Sequence, residues 1–171
     1  MTTTSRSSVA SGLSRTFGVT LALLCVATTV VRAQDSTSDD AAIRKPVADY
    51  NRGLNTCDVE VAVKAWERDG VFMPPNQPAV EGEQALRAWY KNYCSRTVAN
   101  LTFAPTEARR FGDWAWLRVA ITGTTTSKAS RTVTQQDNKA LFIVHRGADG
   151  TWRIARYGLN SNKTAAAPAT R

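Results

Sequence analysis

The chain has 171 residues, 43% hydrophobic with 5 Trp, 4 Tyr and 5 Phe, enough for one cored domain and incompatible with a globally disordered chain. Its net charge of +8 comes from scattered basic residues, with Arg109-Arg110 the one adjacent pair in the strand-rich half. That pattern reads as solvated surface and argues against nucleic-acid binding.

Residues 1–33 read as a secretory signal peptide. Met1 to Phe17 is Ser/Thr-rich and basic without an acid, Val19 to Val31 is a short apolar run, and Val31-Arg32-Ala33 offers a small residue before the cut. The run is too short to span a bilayer comfortably. The expectation is export, periplasmic or secreted, with cleavage after Ala33 and no membrane attachment afterwards. This segment holds Arg6, Arg15 and Arg32, so 22 basic residues become 19 against 14 acidic, and the net charge falls from +8 to +5. Cleavage leaves Cys57 and Cys94. In an oxidising compartment they are either a bridge around 36 intervening residues or two independently buried thiols. Two cysteines and a single histidine without close spacing make no zinc cage, and neither a metal nor a cofactor is expected.

Residues 34–40 are polar and read as a flexible lead-in to a domain over 41–162. Ile43, Val47, Tyr50 and Leu54 share one helical face from about Ala41, with Pro46 placed in the first turn. Asp58 caps a second helix, in which Val59, Ala62, Val63 and Trp66 share a face and Asp69-Gly70 is the stop. Val71 to Met73 is a short strand, Pro74, Pro75 and Pro78 mark a reversal at a sheet rim, and Ala79 to Glu81 returns. Gly82 opens a third helix with an aromatic face: Leu86, Trp89, Tyr90 and Tyr93.

Beyond Ser95 the period becomes two, giving four antiparallel strands. Leu101 and Phe103 lie in the first, and Phe111-Gly112-Asp113 makes the turn. In the second, Ala115, Leu117, Val119 and Ile121 face one way while Trp116, Arg118, Ala120 and Thr122 face the other. Ser127 to Thr134 is a polar loop. The next strand, Lys139 to His145, is apolar on both faces, and Ala148-Asp149-Gly150 leads to the last strand with Trp152 and Ile154 on one face. Residues 163–171 form an Ala/Thr/Pro tail expected to be disordered. The layout is α+β, with helices segregated onto one face of a curved sheet. The strand that is apolar on both sides calls for a cover on its second face, and a partner subunit supplies one.

Several strings in this order resemble the SnoaL-like proteins of the nuclear transport factor 2-like superfamily, especially small exported members. They are Ala48-Asp49-Tyr50-Asn51 with Leu54-Asn55, Asp58, Asp69-Gly70-Val71-Phe72, and Met73-Pro74-Pro75-Asn76 leading to Val80-Glu81-Gly82 and Ala85-Leu86-Arg87. Gly112-Asp113-Trp114-Ala115 and Asp149-Gly150-Thr151-Trp152-Arg153-Ile154 complete the match. The resemblance implies a conical fold of three N-terminal helices on a strongly curved, mainly antiparallel sheet enclosing an apolar pocket, usually in a dimer. Its members include ketosteroid isomerases, polyketide cyclases, dehydratases and non-enzymatic binding domains, so fold alone does not assign function.

Chemistry in such a pocket needs a base held in apolar surroundings. Glu107 and His145 are the residues that could serve. Exported relatives often carry an acid where this chain has Tyr157 and another where it has Asn162, so the expected base is missing from the last strand. Tyr50, Trp66, Phe72, Trp89, Tyr93 and Trp116 can supply apolar walls or plain core packing, with Asn76, Arg118, Arg156 and Asn160 as polar anchors. The reading is an exported homodimer, joined through its sheet face, that binds a small apolar or weakly anionic molecule without an assigned reaction. The alternatives are a cofactor-free isomerase, cyclase or dehydratase, and a dimeric interaction module.

Overall fold

The computed structural model describes the backbone of residues 30–163 and the side chains of residues 39–163. The signal-peptide reading and its cleavage site concern side chains outside those described, as does the tail beyond Lys163. The chain divides into two units, Met1–Asp35 and Ser36–Arg171, and the folded core belongs to the second. In chain order the elements are α1 (Val30–Thr56), α2 (Val59–Lys64), β1 (Trp66–Met73), β2 (Val80–Glu81), α3 (Glu83–Arg96), β3 (Thr97–Phe111), β4 (Trp114–Ser127), β5 (Val133–Arg146) and β6 (Trp152–Ser161). The strands form one sheet in the order β2-β1-β6-β5-β4-β3. All pairings are antiparallel except β1 with β6, so the architecture is α+β with three helices on a curved, mixed, six-stranded sheet.

The expected apolar stripe of α1 is the buried one: Ile43, Val47, Tyr50 and Leu54 all lie in the core. The helix is longer than its stripe. Residues 34–40, expected as a flexible lead-in, are helical, and no Gly or Pro interrupts them. Pro46, expected in the first turn, therefore lies inside the helix.

Side chains of α1 also serve the outer edge of β3, which among the described residues has no strand beyond it. The Asn55 amide donates to the Leu101 carbonyl at 2.7 Å and accepts from the Leu101 N–H at 2.9 Å. Arg44 donates to the Pro105 carbonyl at 3.0 Å, and Arg110 pairs with Asp39. Backbone groups that would otherwise be left open at a sheet edge are thereby satisfied.

The second helix is shorter than its apolar spacing predicts. Asp58 caps it as expected, accepting from the Val61 N–H at 3.0 Å, but α2 ends at Lys64. Trp66 begins β1 instead, where the Ile154 N–H reaches the Ala65 carbonyl at 2.8 Å and Trp66 pairs with Ile154. A position seven residues into a helix and the first inward position of a strand look alike in sequence, and pairing with β6 decides between them. Asp69-Gly70, expected as the helix stop, sits within a register shift of β1. A Cβ at Gly70 would lie 2.8 Å from Trp66 Cε3 and 3.0 Å from the Glu67 carbonyl, so the Trp66 ring occupies the space a side chain would need.

The four strands after α3 follow the expected order and facing. Ala115, Leu117, Val119 and Ile121 of β4 are buried, as are Ala140, Phe142 and Val144 of β5. β5 starts six residues before the apolar pattern does, because Thr124 pairs with Gln135 and Thr126 with Val133 beyond the core. The second face of β5 carries Ile143, half-buried, and Leu141, exposed.

Gly123 sits mid-strand at φ 124°, and a Cβ there would lie 2.2 Å from the Asn100 carbonyl oxygen. Gly123→Ala should cost about 3 kcal/mol through backbone strain and overpacking. Urea unfolding checks this, and a loss below about 1 kcal/mol would show that β3 yields freely at that point.

Candidate functional site

The interior is built around one phenol. The Tyr50 ring centroid lies 5.9 Å from Trp66, 5.7 Å from Tyr90, 5.5 Å from Phe103, 6.3 Å from Phe142 and 5.8 Å from Tyr157. Tyr157 is stacked between two rings, 4.1 Å from Phe142 and 4.8 Å from Phe72. Tilted and edge-on pairs of this kind add to the burial of their area. Tyr157, at the position where the resemblance suggests an acid, is a ring in the middle of this packing.

Two donors inside the cluster lack partners: the Trp66 indole N–H and the Tyr90 hydroxyl, both fully buried. They lie near each other and near the Tyr50 hydroxyl, yet without closing hydrogen bonds of good geometry. A buried donor left unmade costs about 1–3 kcal/mol, so its presence in a native core asks for an acceptor. Burial raises the phenols of Tyr50, Tyr90 and Tyr157 well above their usual range. Burial, followed by the adjoining Cys94 and Cys57, pushes Tyr93 up to about 12. At neutral pH the phenols stay protonated, so each keeps an O–H to donate and none is a base. Among the described residues the core contains no carboxylate and no imidazole.

Of the residues expected to line one pocket, Tyr50, Trp66 and Phe72 meet as packed core. Trp89 and Tyr93 are half-buried at its margin, stacked on each other at 5.2 Å, and Trp89 also lies edge-on 4.9 Å from Phe72 and 5.1 Å from Tyr90. On the solvent side of Trp89 is an open groove of about 520 Å³, lined by Val80, Glu81, Ala85, Ala88 and Asn92 among others. Asn76 is exposed in the reversal after β1, at φ 59°. Asn160 is exposed near the end of β6.

Trp116, Arg118 and Arg156 lie on the opposite face of the sheet from the aromatic core. Trp116 pairs across to Ile143 and Ile143 to Arg156, while their strand neighbours Ala115, Leu117, Val144 and Tyr157 point inward. Arg118 reaches Glu107 at 3.5 Å, and Arg156 donates to the Asp69 carbonyl at 3.3 Å.

Glu107 and His145 are on this outer face too. Glu107 sits between Arg109 and Arg118 at 3.5 Å from each. His145 stacks on Trp114 at 4.2 Å, and its Nδ1–H donates to Glu67 at 2.5 Å. The cross-strand partners of Glu107 and His145 on β4, Arg118 and Trp114, are four residues apart, about 13 Å along a strand. The two therefore do not form one site. Glu67 escapes a sequence reading because the helical spacing through Trp66 hides the strand that carries it. Tyr90 was visible as a member of an apolar helix face and Tyr157 as the residue standing where relatives carry an acid, and nothing in the spacing marks the hydroxyl of Tyr90 as unpaired.

Residues 47–157 match the SnoaL-like domain. The chain belongs to the SnoaL-like family. No curated protein matches it. Among solved structures, this SnoaL-like chain is similar to a ketosteroid isomerase-like protein from Erwinia carotovora atroseptica, with 29% identity over 72% of this chain and 96% of that one and a TM-score of 0.68. It shares its fold with a conserved protein from Planctomyces limnophilus, at 20% identity over 73% and 98% of the two chains and a TM-score of 0.67. It also shares it with an NTF2-like protein with a cystatin-like fold from Novosphingobium aromaticivorans, at 18% identity over 84% and 94% and a TM-score of 0.66.

Tyr90→Phe removes an unpaired buried hydroxyl and should raise the unfolding free energy by about 1 kcal/mol. Chemical denaturation checks this, and a loss of comparable size would mean that the hydroxyl is bonded after all. The raised phenols set an alkaline limit. An unfolded tyrosine ionises near pH 10, whereas Tyr50, Tyr90, Tyr93 and Tyr157 keep their protons beyond that in the fold. Above about pH 10 the folded chain binds more protons than the unfolded one, so stability is complete below that pH and falls as pH rises. Between about pH 9 and pH 11 the loss should be roughly 1 kcal/mol per fully buried phenol, read by urea unfolding at both values.

Proposed function

We propose that this protein binds a small, mostly apolar molecule carrying an acceptor oxygen, and does so without turning it over. The observation that carries this reading is the pair of unpartnered donors, Trp66 N–H and Tyr90 O–H, buried among aromatic rings beside Tyr50. An acceptor oxygen placed there would satisfy both, and aromatic walls suit an apolar body. Trp89 stands between the groove and Tyr90, so the route inward passes by displacement of that ring. Membership of the SnoaL-like family supports ligand binding or isomerase-like chemistry as the class. The 29% identical ketosteroid isomerase-like protein gives the isomerase alternative its support. Against that alternative, Glu107 and His145 both lie outside the core, and the described core offers protonated phenols where a base would be needed.

The proposal includes export with cleavage after Ala33, and a homodimer joined through the outer sheet face. Trp116, Ile143 and Leu141 lie together there with Arg118, Arg156 and Glu107 around them, a mixture of apolar and two-signed charged groups that suits a self-complementary surface. Native mass spectrometry of protein purified from its own host reads all three points: a dimer, each subunit lacking residues 1–33, with a retained small molecule. A fluorescent naphthyl ketone should bind the emptied protein and bind Tyr90→Phe about tenfold more weakly, close to 1.4 kcal/mol. Equal binding by both proteins would sink the donor site.

A further inference from the structure

The two cysteines of the folded unit sit at a junction that is clamped from both sides. Cys57 follows α1 in the turn before α2, and Cys94 lies in the last turn of α3. On one side, two residues before Cys57, the Asn55 amide is bound to both backbone groups of Leu101, which fastens the end of α1 to the strand that continues from α3. On the other side, three residues after Cys57, Glu60 of α2 pairs with Arg87 of α3. The two thiols, both half-buried, adjoin each other and the Tyr93 ring. Cys57 holds φ 54°, a left-handed conformation that a helix end normally gives to Gly or Asn. A side-chain residue is kept there at a cost in backbone strain.

We propose that Cys57 and Cys94 form a disulfide that pins the aromatic helix α3 to the α1–α2 turn. The oxidant is the disulfide of a small thiol or of a thiol–disulfide oxidoreductase. The thiolate of one cysteine attacks it and releases one reduced thiol. The second cysteine then displaces the other half, so two protein thiols become one disulfide while one external disulfide becomes two thiols. Burial and the neighbouring Cys57 thiol push Cys94 up to about 12, which leaves little of it as thiolate at neutral pH. Closure encloses residues 58–93, a loop that contains β1, β2 and most of α3. That loop includes Trp66, Tyr90 and Trp89, so the bridge restrains the wall between groove and core.

The test uses the full chain in glutathione buffers of graded oxidised-to-reduced ratio. Digestion without reductant should yield one linked peptide pair, containing Cys57 and Cys94. The oxidised chain should melt roughly 10 °C above the reduced one, and that difference should vanish in Cys57→Ser and in Cys94→Ser. Linkage of either residue to Cys25, or two alkylatable thiols at 57 and 94 in fully oxidised buffer, overturns the bridge. Equal melting of the two redox forms overturns the pinning. Peptide mapping needs no variant, so a serine chain that fails to fold leaves the first result decisive.

Discussion

The packing of Tyr50 is the constraint on which the rest of this structure depends. One residue of α1 touches rings contributed by β1, α3, β3, β5 and β6. A single planar side chain thus meets three strands that are neighbours in the sheet, β1, β6 and β5, and also β3 at its far edge. Burying a large aromatic typically contributes a few kcal/mol, and here that contribution is shared by five elements at once. The helices and sheet are therefore coupled through one contact set, which Trp66 joins from β1 with its ring beside both Tyr50 and Tyr157.

The same packing determines what chemistry the interior can offer. Low polarity keeps the phenols protonated, so they donate hydrogen bonds and do not take protons. The interior is rich in donors and poor in bases, which fits holding an oxygen better than moving a proton. The charged residues that could act as bases have gone to the outer face, where Glu107 is neutralised by two arginines and His145 is held by Glu67. The two faces of one sheet thus separate protonated, apolar packing from charge.

Much of the fold was legible from period alone. The stripe Ile43, Val47, Tyr50, Leu54 and the alternation through β4 and β5 located the core, because burial on one face leaves a regular trace in sequence. The second helix failed at Trp66 because a helical spacing and a strand start share the same residues, and a parallel pairing of Trp66 with Ile154, 88 residues on in β6, is invisible locally. The site was legible as a set of aromatics but not as an arrangement. Spacing shows that Tyr90 faces inward; it cannot show that its hydroxyl meets no acceptor. Trp116 and Arg118 fell on the far face because both sides of β4 carry residues that could line a pocket, and only the curvature of the sheet selects between them.

Both edges of this sheet present an interrupted ladder. On β3 the Leu101 N–H and C=O and the Pro105 C=O are taken by Asn55 and Arg44, and at the other side β2 is two residues long and follows Pro74, Pro75 and Pro78. A strand from another molecule meets an interrupted ladder on either side, which works against the commonest route by which an open sheet templates fibrils. Edge-to-edge zipping of copies is broken at Leu101 and Pro105 on one side and has two residues of strand to pair with on the other.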